Sequence, residues 1–224
     1  MSSIEENIAW LKAQLPERVQ LVAVSKTQPV EMILQAYQCG QRVFGENKAR
    51  EMEEKHQQLP ADIEWHFIGH LQSNKVKYIA PFVHLIQAVD REELLPVINR
   101  EAVKNKRIIH CLLQFHIATE ETKYGMNWEE AAHLLESETL AQCDHLRIIG
   151  VMGMASFTED TALIRKEFST LYHYYLLMKN SYFRDNPDFK EISMGMSGDY
   201  PLAIEEGSTM IRVGTLLFGE RNLR

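Results

Sequence analysis

Short apolar runs rich in β-branched residues alternate with longer stretches of helical periodicity along the whole chain. Residues 2–15 read as a leading helix with Ser3 near its cap and Ile4, Ile8 and Leu11 on one face. The run 19–26, VQLVAVSK, is nearly continuous in apolar residues, the pattern of a strand buried on both faces. A helix over 30–39 stops at Gly40, and the strand 42–47, the Glu/Lys-rich helix 48–58 and the strand 63–70 follow. A helix over 73–80, with Ser73 capping it, precedes the strand 83–90, the helix 91–105 and the strand 107–117. The remainder predicts a helix 128–142 capped by Asn127, a strand 146–154, a long helix 159–180, a strand 191–196, a short helix 199–206 and a strand 209–219.

Eight strand candidates separated by helical crossovers argue for a parallel sheet, because parallel neighbours need a long connection. Eight such units in 224 residues fit an α/β fold of the closed (β/α)₈ barrel type, with the leading helix as an addition. An open doubly wound sheet is the alternative. No linker or low-complexity stretch divides the sequence, so residues 1–224 are expected to form one barrel domain.

Composition removes several classes of function. Lys plus Arg number 24 against 31 Asp plus Glu, a net charge of −7 without a basic run, which disfavours nucleic-acid binding. No apolar run is long enough to span a membrane, and the first residues lack the pattern of a signal peptide. Cys39, Cys111 and Cys143 form no CxxC pair and suit free thiols in a reducing compartment. A cytoplasmic location is therefore expected.

Three motifs fail on chemistry. Gly214 to Gly219 has P-loop glycine spacing, but Glu220 and Arg221 replace the Lys and Ser/Thr that would follow. His66 and His70 are four apart, yet Phe67 stands where a zinc protease needs Glu, and the segment reads as a strand. No metal site is expected from this pair. No GxSxG elbow occurs, and the carboxylates of helix 48–58 read as a solvated face.

Lys26 is more informative. It leaves the apolar run LVAVS at a C-terminal strand end, the face on which (β/α)₈ barrels build their sites. Partial desolvation there lowers an amine pKa and makes it a nucleophile toward aldehydes. At the other end of the chain, the backbone around Gly214 and Thr215 and the Ser197 hydroxyl form a candidate anion nest after strands seven and eight. Closure would bring strand eight beside strand one. A phosphate at the nest and an aldehyde at Lys26 then belong to one ligand, and pyridoxal 5′-phosphate is such a ligand. Arg212 lies between them, and a guanidinium near the pyridine nitrogen would disfavour its protonation.

The segments LVAVSKT (21–27), FGENKARE (44–51), WHFIGHLQSNK (65–75), KYG (123–125), SMGMSGDYPLAI (193–204) and GSTMIRVGTLLFG (207–219) occur in this order. Together they resemble the small pyridoxal phosphate homeostasis family, whose members are similar to the barrel domain of alanine racemase without its second domain. The resemblance implies that Lys26 forms a Schiff base, that Ser197, Gly214 and Thr215 hold the phosphate, that Arg212 faces the pyridine nitrogen, and that Asn47 lies near the cofactor. It implies storage, buffering or delivery of the cofactor, with apo-enzymes as recipients, rather than robust catalysis. An amino-acid racemase is the alternative. It requires a second base opposite Lys26, which the racemase draws from its additional domain, and this chain is expected to stop just after strand eight. His66 is expected among the inward packing residues, with a cofactor contact as the other possibility, and Lys75 as an exposed charge that attracts anions. A monomer or weak homodimer is expected, with the leading helix either covering the barrel bottom or forming the dimer contact.

Overall fold

Four of the five residues of β1 (Gln20–Val24) are buried, because its two faces meet different cores. Leu21 and Ala23 pack outward among the helices, whereas Val22 points into the sheet interior with Val43, Leu85, Leu112, Met152 and Met210. That double burial explains the unbroken apolar run. The computed structural model describes residues 3–120 and 123–220. Strands β2 (Val43–Glu46), β3 (Glu64–Phe67), β4 (Leu85–Val89), β5 (Ile109–Phe115), β6 (Leu146–Gly153), β7 (Glu191–Ser193) and β8 (Met210–Val213) follow β1 in parallel and in chain order. Gln20 to Ala23 pair with Met210 to Val213, which closes the barrel. The open-sheet alternative is thereby excluded.

The helices α1 (Ile4–Gln14), α2 (Val30–Gln38), α3 (Ala49–His56), α4 (Val76–Ile79), α5 (Leu94–Lys104), α6 (Trp128–Glu136), α7 (Glu138–Ala141), α8 (Thr161–Ser181), α9 (Tyr200–Glu205) and α10 (Thr215–Phe218) complete the order. Ser3 and Asn127 each cap their helix through a reciprocal box with a Glu three residues on. Ser2, where the leading helix is expected to begin, lies outside the described residues, as does the chain end at Arg224. Helix α1 buries Ile8 and Leu11 and packs against α2 and α10.

Three expectations differ from the fold. The helix 128–142 is two helices, because the Ser137 hydroxyl donates to Leu134 O and accepts from Leu140 N–H, ending one and starting the next. Ser73 opens a 3₁₀ turn (Ser73–Lys75) and caps nothing; Gln72 precedes the turn. The strand at 209–219 stops at Val213, and Thr215–Phe218 turns into α10, a distinction that a short apolar run does not encode.

The carboxylates of helix 48–58 also depart from a purely solvated face. Lys55 on α3 is only 6% exposed, and its Nζ donates at 2.8 Å to Ser25 O, Glu46 Oε1 and Glu51 Oε1. The Ser25 hydroxyl donates to the same Glu46 oxygen at 2.6 Å, and Glu51 Oε1 accepts the Thr27 N–H at 2.5 Å. Thr27 has a φ of +64°, a left-handed conformation that costs about 1–2 kcal/mol for a residue with a Cβ. Both neighbours of Lys26 are thus tied to one buried cation. Burial pushes the Glu46 carboxyl above its ordinary range, with Lys55 opposing that rise. For Glu51, burial alone would raise the carboxyl, but the bonds from Lys55 and Thr27 outweigh it and hold the group below its usual range.

Lys55→Met should destabilise the protein by about 3–5 kcal/mol, the cost of leaving a buried charge uncompensated. Without Lys55 the folded-state pKa of Glu46 stands still further above its unfolded value. The folded state then holds a proton that the unfolded chain releases, so stability falls as pH rises. The loss should be larger at pH 8 than at pH 5 in urea denaturation, and Glu46→Gln in the same chain should restore part of it.

Candidate functional site

The C-terminal ends of the strands surround a cavity of about 580 Å³, within the range of small-ligand sites. Lys26 enters it from the turn after β1, Asn47 from the residue after β2, and Ser197 from the loop after β7. Arg212 reaches it from β8, and Gly214 and Thr215 from the start of α10. All six residues singled out in the sequence therefore line one cavity. Closure of β8 on β1 is what joins the two ends of the chain there. Phe157, Gly198 and Thr215 are exposed lining residues, so the cavity opens to solvent.

Its floor is polar and hydrogen-bonded. Arg212 is 4% exposed; its guanidinium donates to Ser193 Oγ at 2.6 Å and to Gly153 O at 2.9 Å. Burial lowers its pKa to about 10, with Asp199 opposing the fall, so it remains a cation at neutral pH. Burial raises the Asp199 carboxyl, which accepts the Met196 N–H at 2.5 Å and so shapes the loop that carries Ser197. The Asn47 Oδ1 atom is buried without a hydrogen-bond partner, an acceptor facing an unmet demand. A Cβ on Gly214 would lie 3.1 Å from Val24 O, tight enough to push β8 from β1 at the cavity edge.

These features fit a ligand carrying an aldehyde and a phosphate. The lining brings together the Lys26 side chain, Ser197, the residues Gly214 and Thr215 that open α10, and Asn47 with its unpartnered Oδ1.

His66 takes the packing alternative. It is 1% exposed inside the barrel and absent from the cavity lining, and its Nδ1 lies 3.0 Å from Gln87 Nε2. Gln87 Oε1 accepts from the Ser193 hydroxyl at 2.7 Å, which in turn accepts from Arg212. A polar chain thus runs from Arg212 across the barrel interior to His66. Lys75 is half-buried and lines a neighbouring cleft with Arg50 and His70, outside the main cavity. Sequence reasoning missed Gln87, Ser193 and Asp199. Gln87 carried a signal, a lone amide within the apolar run LIQAV, where a buried polar group needs partners. Asp199 had none, since an acid before a helix usually caps it, and this one turns to Met196 instead.

Residues 1–222 match the family model of the alanine racemase N-terminal domain. The pyridoxal phosphate homeostasis protein of Aquifex aeolicus is 40% identical over 202 residues, 90% of this chain and 86% of that one. Among solved structures, PipY of Synechococcus elongatus PCC7942 without PLP superposes with a TM-score of 0.89 at 36% identity, covering 97% of this chain and all of that one. The same protein with PLP bound gives 0.85. An alanine racemase of Clostridium difficile shares the fold alone, at 12% identity and a TM-score of 0.75, with 98% of this chain and 57% of that one covered. On these matches, and on a closed barrel with its cavity at the strand ends, the chain belongs to the pyridoxal phosphate homeostasis proteins of the alanine racemase N-terminal domain family.

Proposed function

We propose that this chain, as one cofactor-binding barrel, holds pyridoxal 5′-phosphate reversibly and takes part in vitamin B6 homeostasis by storing, buffering or delivering it. The observation that carries the reading is the convergence of Lys26, Asn47, Ser197, Arg212, Gly214 and Thr215 on one solvent-open cavity. The PLP-bound state of PipY and the names of the curated relatives support it. When bound, the cofactor supplies an aldehyde that condenses with amines and a ring that withdraws electrons. Lys26 Nζ is the covalent attachment point, and the Lys55 cluster fixes the turn that presents it. Ser197 and the N–H groups at Gly214 and Thr215 take the phosphate, and Asn47 Oδ1 accepts a hydrogen bond from the ligand. Arg212 is a buried cation held by Ser193 and Gly153, and a cation against the ring nitrogen keeps that nitrogen unprotonated and weakens electron withdrawal.

Racemisation needs bases on both faces of a carbon centre. Among the described lining residues, the carboxylate that accompanies Lys26 is Asp199, which is already committed to the Met196 N–H. A mouth bordered by exposed residues favours ligand exchange with apo-enzymes over protection of a reactive carbanion. Three free thiols agree with a reducing, cytoplasmic setting.

Borohydride reduction of protein incubated with pyridoxal 5′-phosphate should leave an irreversible mass gain of one cofactor in the peptide containing Lys26. Lys26→Ala should lose the adduct yet retain weaker phosphate-driven binding. An adduct mapped to another lysine would overturn the assignment. Arg212→Gln should alter the absorption spectrum of the loaded protein or its pH dependence, with a smaller loss of affinity than Ser197→Ala. Unchanged spectrum, pH profile and affinity would remove Arg212 from its role. Chiral analysis after prolonged incubation with L-alanine or L-serine should show turnover far below the roughly 10 s⁻¹ typical of enzymes. The same loaded protein should pass its cofactor to an apo-enzyme. Wild-type-dependent racemisation near that rate would favour the racemase instead.

A further inference from the structure

At the opposite end of the barrel, Glu64 and His66 lie two apart on β3, so their side chains share one face. His84, immediately before β4, stands beside them. One donor atom from each of Glu64, His66 and His84 lies within 4.8 Å of the other two. The His66 and His84 rings stack with centroids 5.7 Å apart, and His84 Nε2 is 3.7 Å from Glu64 Oε2. Gln87 engages His66 Nδ1, and the other ring nitrogen, Nε2, is buried without a hydrogen-bond partner. A fully enclosed imidazole nitrogen without a partner is a rare and costly feature unless something binds it.

We propose that Glu64, His66 and His84 form a binding site for a first-row divalent cation of the zinc class, distinct from the cofactor cavity. Two imidazoles and one carboxylate are a common three-residue ligand set for zinc, with water completing the shell. Tetrahedral zinc with bonds of 2.0–2.2 Å places its ligand atoms about 3.3 Å apart. The three donors therefore need to close by at most about 1.5 Å. His66 is held in place, whereas the side chains of Glu64 and His84 are 42% and 50% exposed and free to make that movement.

Coordination through Nε2 places the imidazole proton on Nδ1. That proton needs an acceptor, so on metal binding the Gln87 amide turns over: its oxygen then faces Nδ1, the second-partner arrangement usual for metal-bound histidine, and its NH2 donates to the Ser193 hydroxyl in place of the bond that its oxygen accepts in the metal-free protein. Such an ion clips the start of β3 to the start of β4, strands that pair through His66 and Leu85. Nearby His110 on β5 has its ring centroid 6.4 Å from that of His84 and lies outside the set.

The test is calorimetric titration of tag-free, chelator-treated protein with ZnCl₂, with Cys39 alkylated to silence the most accessible thiol, and with Co²⁺ absorption as a second readout. We expect one equivalent of Zn²⁺ to bind with a dissociation constant in the micromolar range or below, together with a rise in thermal midpoint. His84→Ala and Glu64→Gln, both at half-exposed side chains, should each weaken binding at least about tenfold and abolish the thermal shift, while His110→Ala retains both. Co²⁺ should give a four- or five-coordinate visible spectrum without a thiolate charge-transfer band. No heat or thermal shift at about 100 μM Zn²⁺ would overturn the proposal. So would binding that persists in His84→Ala and Glu64→Gln, or that is lost only in His110→Ala.

Discussion

The buried Lys55 ammonium is the interaction on which the cavity edge depends. It stands where the ends of β1 and β2 meet α3, and it accepts no substitute from water because it is almost wholly enclosed. Through Ser25, Glu46 and Glu51 it fixes the residues on both sides of Lys26. Thr27 keeps its left-handed backbone because Glu51 receives its N–H. Strain at that turn and charge beneath it are thus parts of one arrangement, and both aim the chain at the cavity. The same cluster sets Asn47, since it follows Glu46 directly at the end of β2.

A second polar system occupies the barrel interior, which in most such folds is filled by apolar layers. Here the layers of Val22, Leu85, Leu112 and Met152 are interrupted by a chain from Arg212 through Ser193 and Gln87 to His66. A buried guanidinium needs this company, because desolvation without hydrogen bonds would cost more than the fold could sustain. The chain gives Arg212 one orientation below the cavity. It also joins the cavity to the far end of the barrel, where His66 meets Glu64 and His84. The two ends share a continuous hydrogen-bonded path while presenting different donor sets: an amine with N–H groups at one, imidazoles with a carboxylate at the other.

The order of strands and helices was legible in the sequence because the period of apolar positions is a local property. So were the caps at Ser3 and Asn127, which act within one turn. Lys26 and the segment around Gly214 and Thr215 stood out because each breaks an apolar strand with a residue type of distinct chemistry. Closure of the barrel was only an inference from the count of units, and pairing of β1 with β8 decided it.

What the sequence left open are the matters settled by distance across the fold. The helix 48–58 shows the same Glu and Lys spacing whether it faces water or a buried strand end, and only packing against β1 and β2 turns Lys55 inward. His66 is spaced four from His70 along the chain, yet its neighbours are Glu64 on its own strand, Gln87 on the next and His84 between them. His70 instead reaches Asp90. Hydrophobic periodicity specifies which face of an element is buried, because that is written every two or four residues. Which polar groups meet inside is written by strands tens to more than a hundred residues apart, and it comes into being only when the barrel closes.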